Sequence, residues 1–434
     1  MSGTLIAILG FGSLSVLLLI RMPVGLALIF VGAAGILLIR PQASLPAVAS
    51  EIFSQASNYS LIIFPLFILM GNLAAVSGMS RDLYAAAQSW FGHLRGGLAI
   101  TTVVGCAIFS ALSGSSLASA LTVGRASLPE MQRYRYNSAL STGTVAAGGT
   151  LGILIPPSVG FVLYAILTEQ SIGRLFIAGI FPGLLLTVLF IFTIWLTVLR
   201  NPSLAPQAAE SAPIRERILL AARALWIAGI ILITIGGIYL GVFSAVEAAG
   251  VGASLTLLSA LIRGTLNWSS IKDVILDTLQ ATGTIFLVVF GAFVFKTFIG
   301  FTQVTSVLAQ WVDSQGFTAL EVVVVTLATC IALGTFLTGF AILVLVVPFV
   351  LPILQSQGVD LVWFAVLFVL VIEMALISPP VGLNVFAVKS IAPDVPINTI
   401  FRGIMPFWLA MAIAIILVIA VPSIATYLPN TMFS

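Results

Sequence analysis

The sequence predicts an all-α polytopic membrane protein, and three observations support this fold class. Hydrophobic residues make up 60% of the 434 positions and charged residues only 7%, whereas a soluble domain carries about 25% charged residues. Apolar runs long enough to cross a bilayer as helices recur along the chain, and the two halves share landmarks in the same order. This composition excludes a soluble enzyme, a nucleic-acid-binding protein and a disordered chain.

Eight apolar runs are each long enough to cross, or nearly cross, a bilayer. No basic stretch precedes the first run and another run follows it directly, so we interpret it as a transmembrane helix and not as a cleaved signal. The one long polar connection, 200–224, is predicted to be a cytoplasmic linker between two halves of a single membrane domain. The predicted spans are 4–20, 23–39, 61–77, 172–199, 225–242, 245–262, 279–299 and 404–427.

Two further apolar segments, 97–131 and 319–354, are interrupted near the middle by small or polar residues. The interruptions run from Ser113 to Ser116 and from Gly334 to Gly339, and they leave arms of about 15 residues, which is short for a full span. We therefore predict two re-entrant helical hairpins with small-residue tips. The alternative is that these small residues only allow neighbouring helices to pack closely.

Two other segments, 138–168 and 361–391, are long enough to cross the membrane but carry a proline pair near the middle. Proline removes a backbone donor and clashes with the preceding turn, so Pro156-Pro157 and Pro379-Pro380 are predicted to break their helices. The alternative is a kink that binds no ligand. Segment 78–96 is predicted to form an amphipathic helix at the membrane interface.

Basic residues predict the orientation, because they are enriched in cytoplasmic loops. With the N-terminus outside, fourteen of the 17 Lys and Arg residues lie on the cytoplasmic side, while Arg40 and Arg174 lie outside and Lys296 falls within a span. In this threading the first hairpin enters from the cytoplasm, the second enters from outside, and the C-terminus is outside. The fourteen residues are Arg21, Arg81, Arg95, Arg125, Arg133, Arg135, Arg200, Arg215, Arg217, Arg223, Arg263, Lys272, Lys389 and Arg402.

An internal repeat relates the two halves at an offset of about 224 residues. The threading places the matched elements in opposite orientations, and inverted repeats with broken helices are typical of secondary transporters. We predict one membrane domain over 1–434, with one repeat at 61–199 and the other at 279–427. The matched landmarks are Gly114 with Gly339, Pro156-Pro157 with Pro379-Pro380, and 179–182 with 403–406.

Four stretches resemble the large membrane subunit of tripartite ATP-independent periplasmic (TRAP) transporters, and the match covers nearly the whole chain. The resemblance implies an elevator-type transporter of the bacterial inner membrane that imports a small organic acid, such as a C4-dicarboxylate or a sugar acid, on a sodium gradient. It implies no cofactor beyond sodium, and two partners: a small four-helix membrane subunit and a periplasmic binding protein that delivers the substrate. The stretches are FSALSGSSLA at 109–118, LPEM at 128–131, GTLGILIPPS at 149–158 and IEMALISPPVGLN at 372–384.

The resemblance also implies two sodium sites whose ligands are mostly backbone carbonyls. Ala375 stands where the family often has glycine, and Ser378 where it often has threonine. A backbone contact survives both changes, whereas a hydroxyl ligand would shift. The first site would comprise Ser110, Ser113, Gly152, Ile155 and Pro156, and the second Gly334, Ala375, Ser378 and Val381.

A substrate pocket is predicted where the hairpin tips face the proline breaks, because freed N–H groups there can bind an anion. Asn384 follows the second break, and its amide either binds substrate or caps a carbonyl. Glu373 is either a proton or cation site, or a partner for a neighbouring helix or subunit. The candidate substrate-binding residues are Ser113, Gly114, Ser115, Ser116, Pro157, Thr338, Gly339 and Asn384.

Three alternatives remain open at this stage. A stand-alone elevator-type symporter of an anion with sodium would need no binding protein, but the full set of TRAP stretches favours the tripartite form. An intramembrane enzyme would need clustered acids, histidines or a nucleophile pair, and the sequence predicts no catalytic residue. A channel would not require an inverted pair of hairpins.

Overall fold

A computed structural model describes residues 2–206 and 211–432, which form helices joined by turns and short connections. The helices are α1 (Gly3–Leu19), α2 (Val24–Ile39), α3 (Ser44–Ala56), α4 (Ile63–Val76), α5 (Met79–Phe91), α6 (Gly97–Ser113), α7 (Ser116–Arg133), α8 (Ser138–Leu154), α9 (Val159–Thr168), α10 (Ile172–Arg200), α11 (Ile214–Tyr239), α12 (Ala245–Ile262), α13 (Trp268–Thr302), α14 (Val304–Ser314), α15 (Ala319–Gly334), α16 (Gly339–Ser356), α17 (Leu361–Leu376), α18 (Leu383–Ile391), α19 (Ile397–Ala420) and α20 (Ser423–Thr431).

The all-helical membrane fold class is confirmed. Within the described ranges, eight helical segments are long and apolar enough to cross a membrane. Five further apolar helices, α1 among them, are slightly shorter. Caps set several of the boundaries. The Ser244 hydroxyl and the Glu247 carboxylate form a reciprocal capping box at the start of α12, which satisfies N–H groups that the helix itself cannot pair.

Three predicted spans have different boundaries in the structure. Helix α13 begins at Trp268 and not at 279, because the Asn267 side chain caps it. Helix α11 begins at Ile214 and not at 225, so the second part of the predicted linker 200–224 is helical; residues 207–210 lie outside the described ranges. The span predicted at 404–427 lies at Ile397–Ala420 in the structure, and a separate helix, α20, follows Pro422, since proline cannot continue the helix.

Two short helices, α3 and α14, have no counterpart in the predicted spans, and they are 13 and 11 residues long. Helix α20 has 9 residues and was not predicted as a separate helix, although it begins inside the predicted span 404–427. Their length is too small for a hydropathy signal that requires about 20 apolar residues. Helix α5, by contrast, was predicted from its amphipathic pattern, and the structure confirms a helix at Met79–Phe91.

The order of helices repeats along the chain. Helices α5 to α10 match α14 to α19 in sequence order, and their starting residues lie 225, 222, 223, 223, 224 and 225 positions apart. Each series contains a hairpin, then a helix pair separated by a proline break, then a long helix. The correspondence that the sequence landmarks predicted therefore extends to whole elements.

The two halves interlock and do not form separate cores. Helix α8 of the first half packs closely against α19 of the second, and a Cβ on Gly143 or on Gly403 would overlap the backbone of the other helix. Helix α13 crosses α2, with Gly25 and Gly291 at the closest approach. Phe11 of α1 contacts Phe295 edge-to-face at a centroid distance of 5.4 Å, which packs α1 against α13 as well.

Candidate functional site

The first hairpin turns at Gly114, between α6 and α7. The Gly114 backbone is left-handed, with a φ of 60°, a conformation that glycine adopts without strain. Its carbonyl accepts a hydrogen bond of 3.4 Å from the N–H of Val159 in the first proline break. A Cβ at Gly114 would lie 2.7 Å from the carbonyl oxygen of Pro157. The hairpin tip and the break are therefore in direct backbone contact, and together we call them the first unit.

Helix α8, which leads into the break, packs against the hairpin tip. A Cβ on Gly152 would lie 2.6 Å from the backbone nitrogen of Ser116, so this position has no room for a side chain. Behind the tip, the Ser119 hydroxyl lies 3.0 Å from that of Ser113 and 3.3 Å from that of Ser110. These three hydroxyls form one hydrogen-bonded cluster behind the tip.

The second unit, formed by the α15–α16 hairpin and the break between α17 and α18, closes through side chains. A Cβ on Gly334 would overlap the Cβ of Ala375 on α17. Ser378 Oγ donates a hydrogen bond of 2.7 Å to the carbonyl of Met374 and accepts one of 2.9 Å from Trp408 Nε1. Its hydroxyl is therefore already engaged at both ends.

The structure places both predicted sodium sets at junctions between a tip and a break. In the first unit Ser110 and Ser113 end α6, while Ile155 and Pro156 follow directly after α8. In the second unit, Val381 lies in the break and is half-buried. The arrangement offers carbonyls from the C-terminal ends of α6, α8, α15 and α17, whose partial negative charge suits a cation. Ion ligation by these residues stays a prediction.

A cavity of about 640 Å³ is lined by both hairpin tips. Seven of the eight predicted substrate-binding residues lie on its wall, whereas Pro157 does not; Pro157 lies behind Gly114, which its carbonyl approaches. The seven residues are Ser113, Gly114, Ser115, Ser116, Thr338, Gly339 and Asn384.

Four helices begin at this cavity. First-turn residues of α7, α9, α16 and α18 line it, represented by Leu117, Val159, Gly339 and Leu383. The N–H groups of a first helical turn have no partner within the helix, and they carry partial positive charge. Ser115, Ser158 and Thr338 each cap one N–H group of α7, α9 and α16. The remaining first-turn N–H groups favour a negatively charged group in this cavity.

Asn384 and Glu373 are the buried polar side chains beside these helix starts. Asn384 is 0% exposed, and neither its amide oxygen nor its amide nitrogen has a hydrogen-bond partner within the described residues. It therefore caps no carbonyl there, and its amide is available to a ligand. Glu373 is 1% exposed, and its Oε1 accepts a hydrogen bond of 3.0 Å from the Ser116 hydroxyl. It thus pairs with the neighbouring helix α7, while its Oε2 has no hydrogen-bond partner within the described residues; a proton or cation site at Glu373 stays a prediction.

The residues of the opposite wall of the cavity were not predicted from the sequence. This wall consists of Asn72 on α4 and of Asp277, Gln280 and Thr284 on α13. Asn72 Nδ2 also donates a hydrogen bond of 3.0 Å to Thr278 Oγ1, which ties the two helices together. The span was predicted to begin at 279, so Asp277 lay outside it; the capping residue Asn267 is the signal that would have extended the helix.

Similar proteins are permeases of known kinds. The chain is 35% identical over 400 residues to the C4-dicarboxylate TRAP transporter large permease protein DctM of Pseudomonas aeruginosa, covering 92% of each chain. It is 31% identical over 379 residues to the ectoine TRAP transporter large permease protein TeaC of Halomonas elongata, covering 86% of this chain and 87% of the other. Such relatives are transporter components, and the chain is accordingly not an enzyme.

The fold itself resembles that of a solved transporter. The crystal structure of the Alcanivorax borkumensis YdaH transporter superposes with a TM-score of 0.63 at 15% identity, covering 90% of this chain and 88% of that one. The family model for the tripartite ATP-independent periplasmic transporter, DctM component, matches residues 11–424. The chain, a multi-pass membrane protein, therefore belongs to the DctM component family of the tripartite ATP-independent periplasmic transporters.

Proposed function

We propose that the chain is the large membrane subunit of a sodium-coupled importer of small organic acids in the bacterial inner membrane. One observation carries the proposal: a single cavity of about 640 Å³ receives both hairpin tips and the first turns of four helices. Such a cavity suits a small carboxylate, since unpaired backbone N–H groups bind anions.

Sodium supplies the positive charge that the cavity walls lack. Among the residues described, no Lys or Arg lines the cavity, and an anion in a poorly hydrated site without a counter-ion is strongly disfavoured. In this proposal the carbonyls at the ends of α6, α8, α15 and α17 provide two cages for the ion. Gly152 and Gly334 keep those junctions narrow enough for carbonyl contact.

The two walls of the cavity belong to different sets of helices, which supports an elevator mechanism. The hairpins and the broken helices form one wall, and α4 with α13 forms the other. We propose that the hairpins are re-entrant and that the first wall moves against the second with the substrate and sodium. The orientation remains the one predicted from the basic residues, with both termini periplasmic.

The partners follow from the family and from its relatives. We propose that a small four-helix membrane subunit packs on this chain and that a periplasmic binding protein delivers the substrate. Two relatives of this chain differ in the substrate for which they are named, a C4-dicarboxylate for one and ectoine for the other, although the two are similarly distant from this chain. The substrate therefore has to be inferred from the cavity itself.

Uptake into proteoliposomes tests the function directly. We expect the chain, reconstituted with its small subunit and binding protein, to accumulate a labelled organic acid with an inward sodium gradient and a Hill coefficient above one. Full uptake driven by a proton gradient without sodium would refute the coupling. Robust uptake by the chain alone would refute the requirement for the small subunit and the binding protein, and would favour a stand-alone symporter.

Cysteine labelling tests the orientation. Ser203, after α10, and Gln315, before α15, are both exposed, and the threading places them on opposite sides. The native Cys106 and Cys330 are buried and do not compete for reagent. Ser203→Cys is expected to react with an impermeant maleimide from the cytoplasmic side and Gln315→Cys from outside. Reaction of both from one side would contradict the threading.

A further inference from the structure

The two walls of the cavity carry opposite electrostatic character. The first wall presents the positively polarised N-terminal turns of α7, α9, α16 and α18. The second wall presents the carboxylate of Asp277, the one formally charged side chain among the described residues that line the cavity. The site is therefore bipolar, with an anion-binding side and an acidic side.

Asn384 adds a free hydrogen-bond donor to the helix N-termini of the first wall. It lies in the first turn of α18, it is 0% exposed, and both of its amide atoms lack a partner within the described chain. A buried amide without a hydrogen bond is disfavoured, and a ligand that accepts from Nδ2 relieves this cost. The helix N-termini beside it favour a negatively charged acceptor.

Asp277 faces the cavity from a polar stripe on α13. Asp277, Gln280 and Thr284 recur at the spacing of one helix face, and all three are exposed. The one ion pair within the described residues joins Arg263 to Asp82, so no Lys or Arg neutralises Asp277 there. This carboxylate is consequently free to bind a cationic group of a ligand.

We propose that the substrate is a zwitterion, a small molecule with a carboxylate and a positively charged nitrogen. This inference rests on the proposed function and narrows its substrate class. The carboxylate binds at the helix N-termini and Asn384, while the charged nitrogen faces Asp277. A dicarboxylate in the same pose would bring its second negative charge to the Asp277 side, where like charges repel.

Binding to the purified chain in saturating sodium tests the proposal. The probes are ectoine and glycine betaine as zwitterions, and succinate as the dianion, each measured by calorimetry. We expect the zwitterions to bind about tenfold or more tightly than succinate, the magnitude of one charge-assisted contact. Asp277→Asn is expected to weaken zwitterion binding by about tenfold and to leave succinate binding unchanged or improved, while Asp277→Glu retains the preference.

Asp273→Asn is the matched control, because Asp273 lies about one turn earlier on α13 and outside the cavity lining. The proposal is overturned if succinate binds as tightly as the zwitterions, if no zwitterion binds, or if Asp277→Asn changes no more than the control. Sodium-dependent succinate binding that ignores Asp277 would overturn this inference and leave the proposed function intact. Loss of sodium dependence for every probe would instead count against the proposed function.

Discussion

The two hairpin-and-break units come from matched stretches of sequence, yet they close in different ways. In the first unit the tip meets the break backbone to backbone: Gly114 fits against Pro157, and Gly152 fits against Ser116. In the second unit the contact at Gly334 is with the side chain of Ala375, and the Ser378 hydroxyl bonds to Met374 of α17 and Trp408 of α19. One unit is held by atoms that no substitution removes, and the other by side chains that can be exchanged.

The two units also differ in solvent exposure, and the second unit is the more exposed. Pro156 and Pro157 are buried, whereas Pro379 and Pro380 are exposed, and Phe336 at the second tip is 69% exposed. An element with few buried contacts opens at a lower free energy than one in a packed core. The comparison indicates that the second unit is the more easily opened of the two, while the first is preformed.

The largest expected effect lies at the two glycines. Gly152→Ala should abolish uptake, because its Cβ would overlap the backbone of Ser115 and Ser116, which no second substitution can remove. Gly334→Ala should also lose uptake, but Ala375→Gly in the same chain should restore much of it by removing the opposing Cβ. Sodium-driven uptake in proteoliposomes measures both.

Gly229→Ala is the control for this prediction, because a Cβ at Gly229 in α11 would meet no atom within 4 Å. Membrane expression of each variant separates loss of transport from loss of folding. Normal uptake by Gly152→Ala, or a failure of Ala375→Gly to rescue Gly334→Ala in a well-expressed protein, would remove the distinction between the two units.

An intermediate effect is expected at Glu373, which links the second unit to the first. Glu373→Gln keeps an acceptor for the Ser116 hydroxyl and should retain uptake within a few-fold. Glu373→Leu removes the acceptor and leaves the buried hydroxyl of Ser116 unpaired, a change of about 1–3 kcal/mol in stability. Thermal unfolding of the purified chain, together with uptake, measures this difference.

Ser116→Ala combined with Glu373→Leu tests whether the two residues act as a pair. Contacting residues show non-additive effects in a double-mutant cycle, so the double variant should be little worse than Glu373→Leu alone. Additive losses would mean that the contact between the units contributes nothing.

The smallest effect is expected at Ser378. Ser378→Ala leaves Trp408 Nε1 without its acceptor, which should lower stability by about 1 kcal/mol. The sodium concentration for half-maximal uptake should change by less than about threefold, because the hydroxyl is already engaged and the backbone is intact. Trp408→Phe in the same chain should recover the lost stability. A large shift in sodium dependence would show that the hydroxyl is an ion ligand.

Much of the fold was predictable because it depends on local signals. The spans followed from hydropathy, the two breaks from proline pairs, and the hairpin tips from small residues; α12 was placed at its observed bounds, 245–262. Helices α3 and α14 were not predicted, because short amphipathic helices lack a long apolar run. The early start of α13 was missed because polar residues such as Asp273 and Asp277 interrupt its hydropathy.

The candidate site was predictable on one side only. Seven residues of the hairpin wall were named from the tips and breaks, and they line the cavity. The difference between the units could not be predicted, since it depends on which tertiary neighbour each glycine meets. The facing wall depends in the same way on the packing of α13 across the chain, which no local pattern encodes.

The close packing of α8 against α19 has a consequence for biogenesis. Helix α8 is made long before α19, yet Gly143 and Gly403 leave room only for each other. Within the segment Ser138–Thr168, 89% of the most apolar stretch of 18 residues is buried inside the protein. The first half therefore enters the membrane with an open groove beside α8. Helix α19 occupies this groove only after more than two hundred further residues have been synthesised. A nascent chain arrested before α19 presents that groove to lipid or to quality-control proteases.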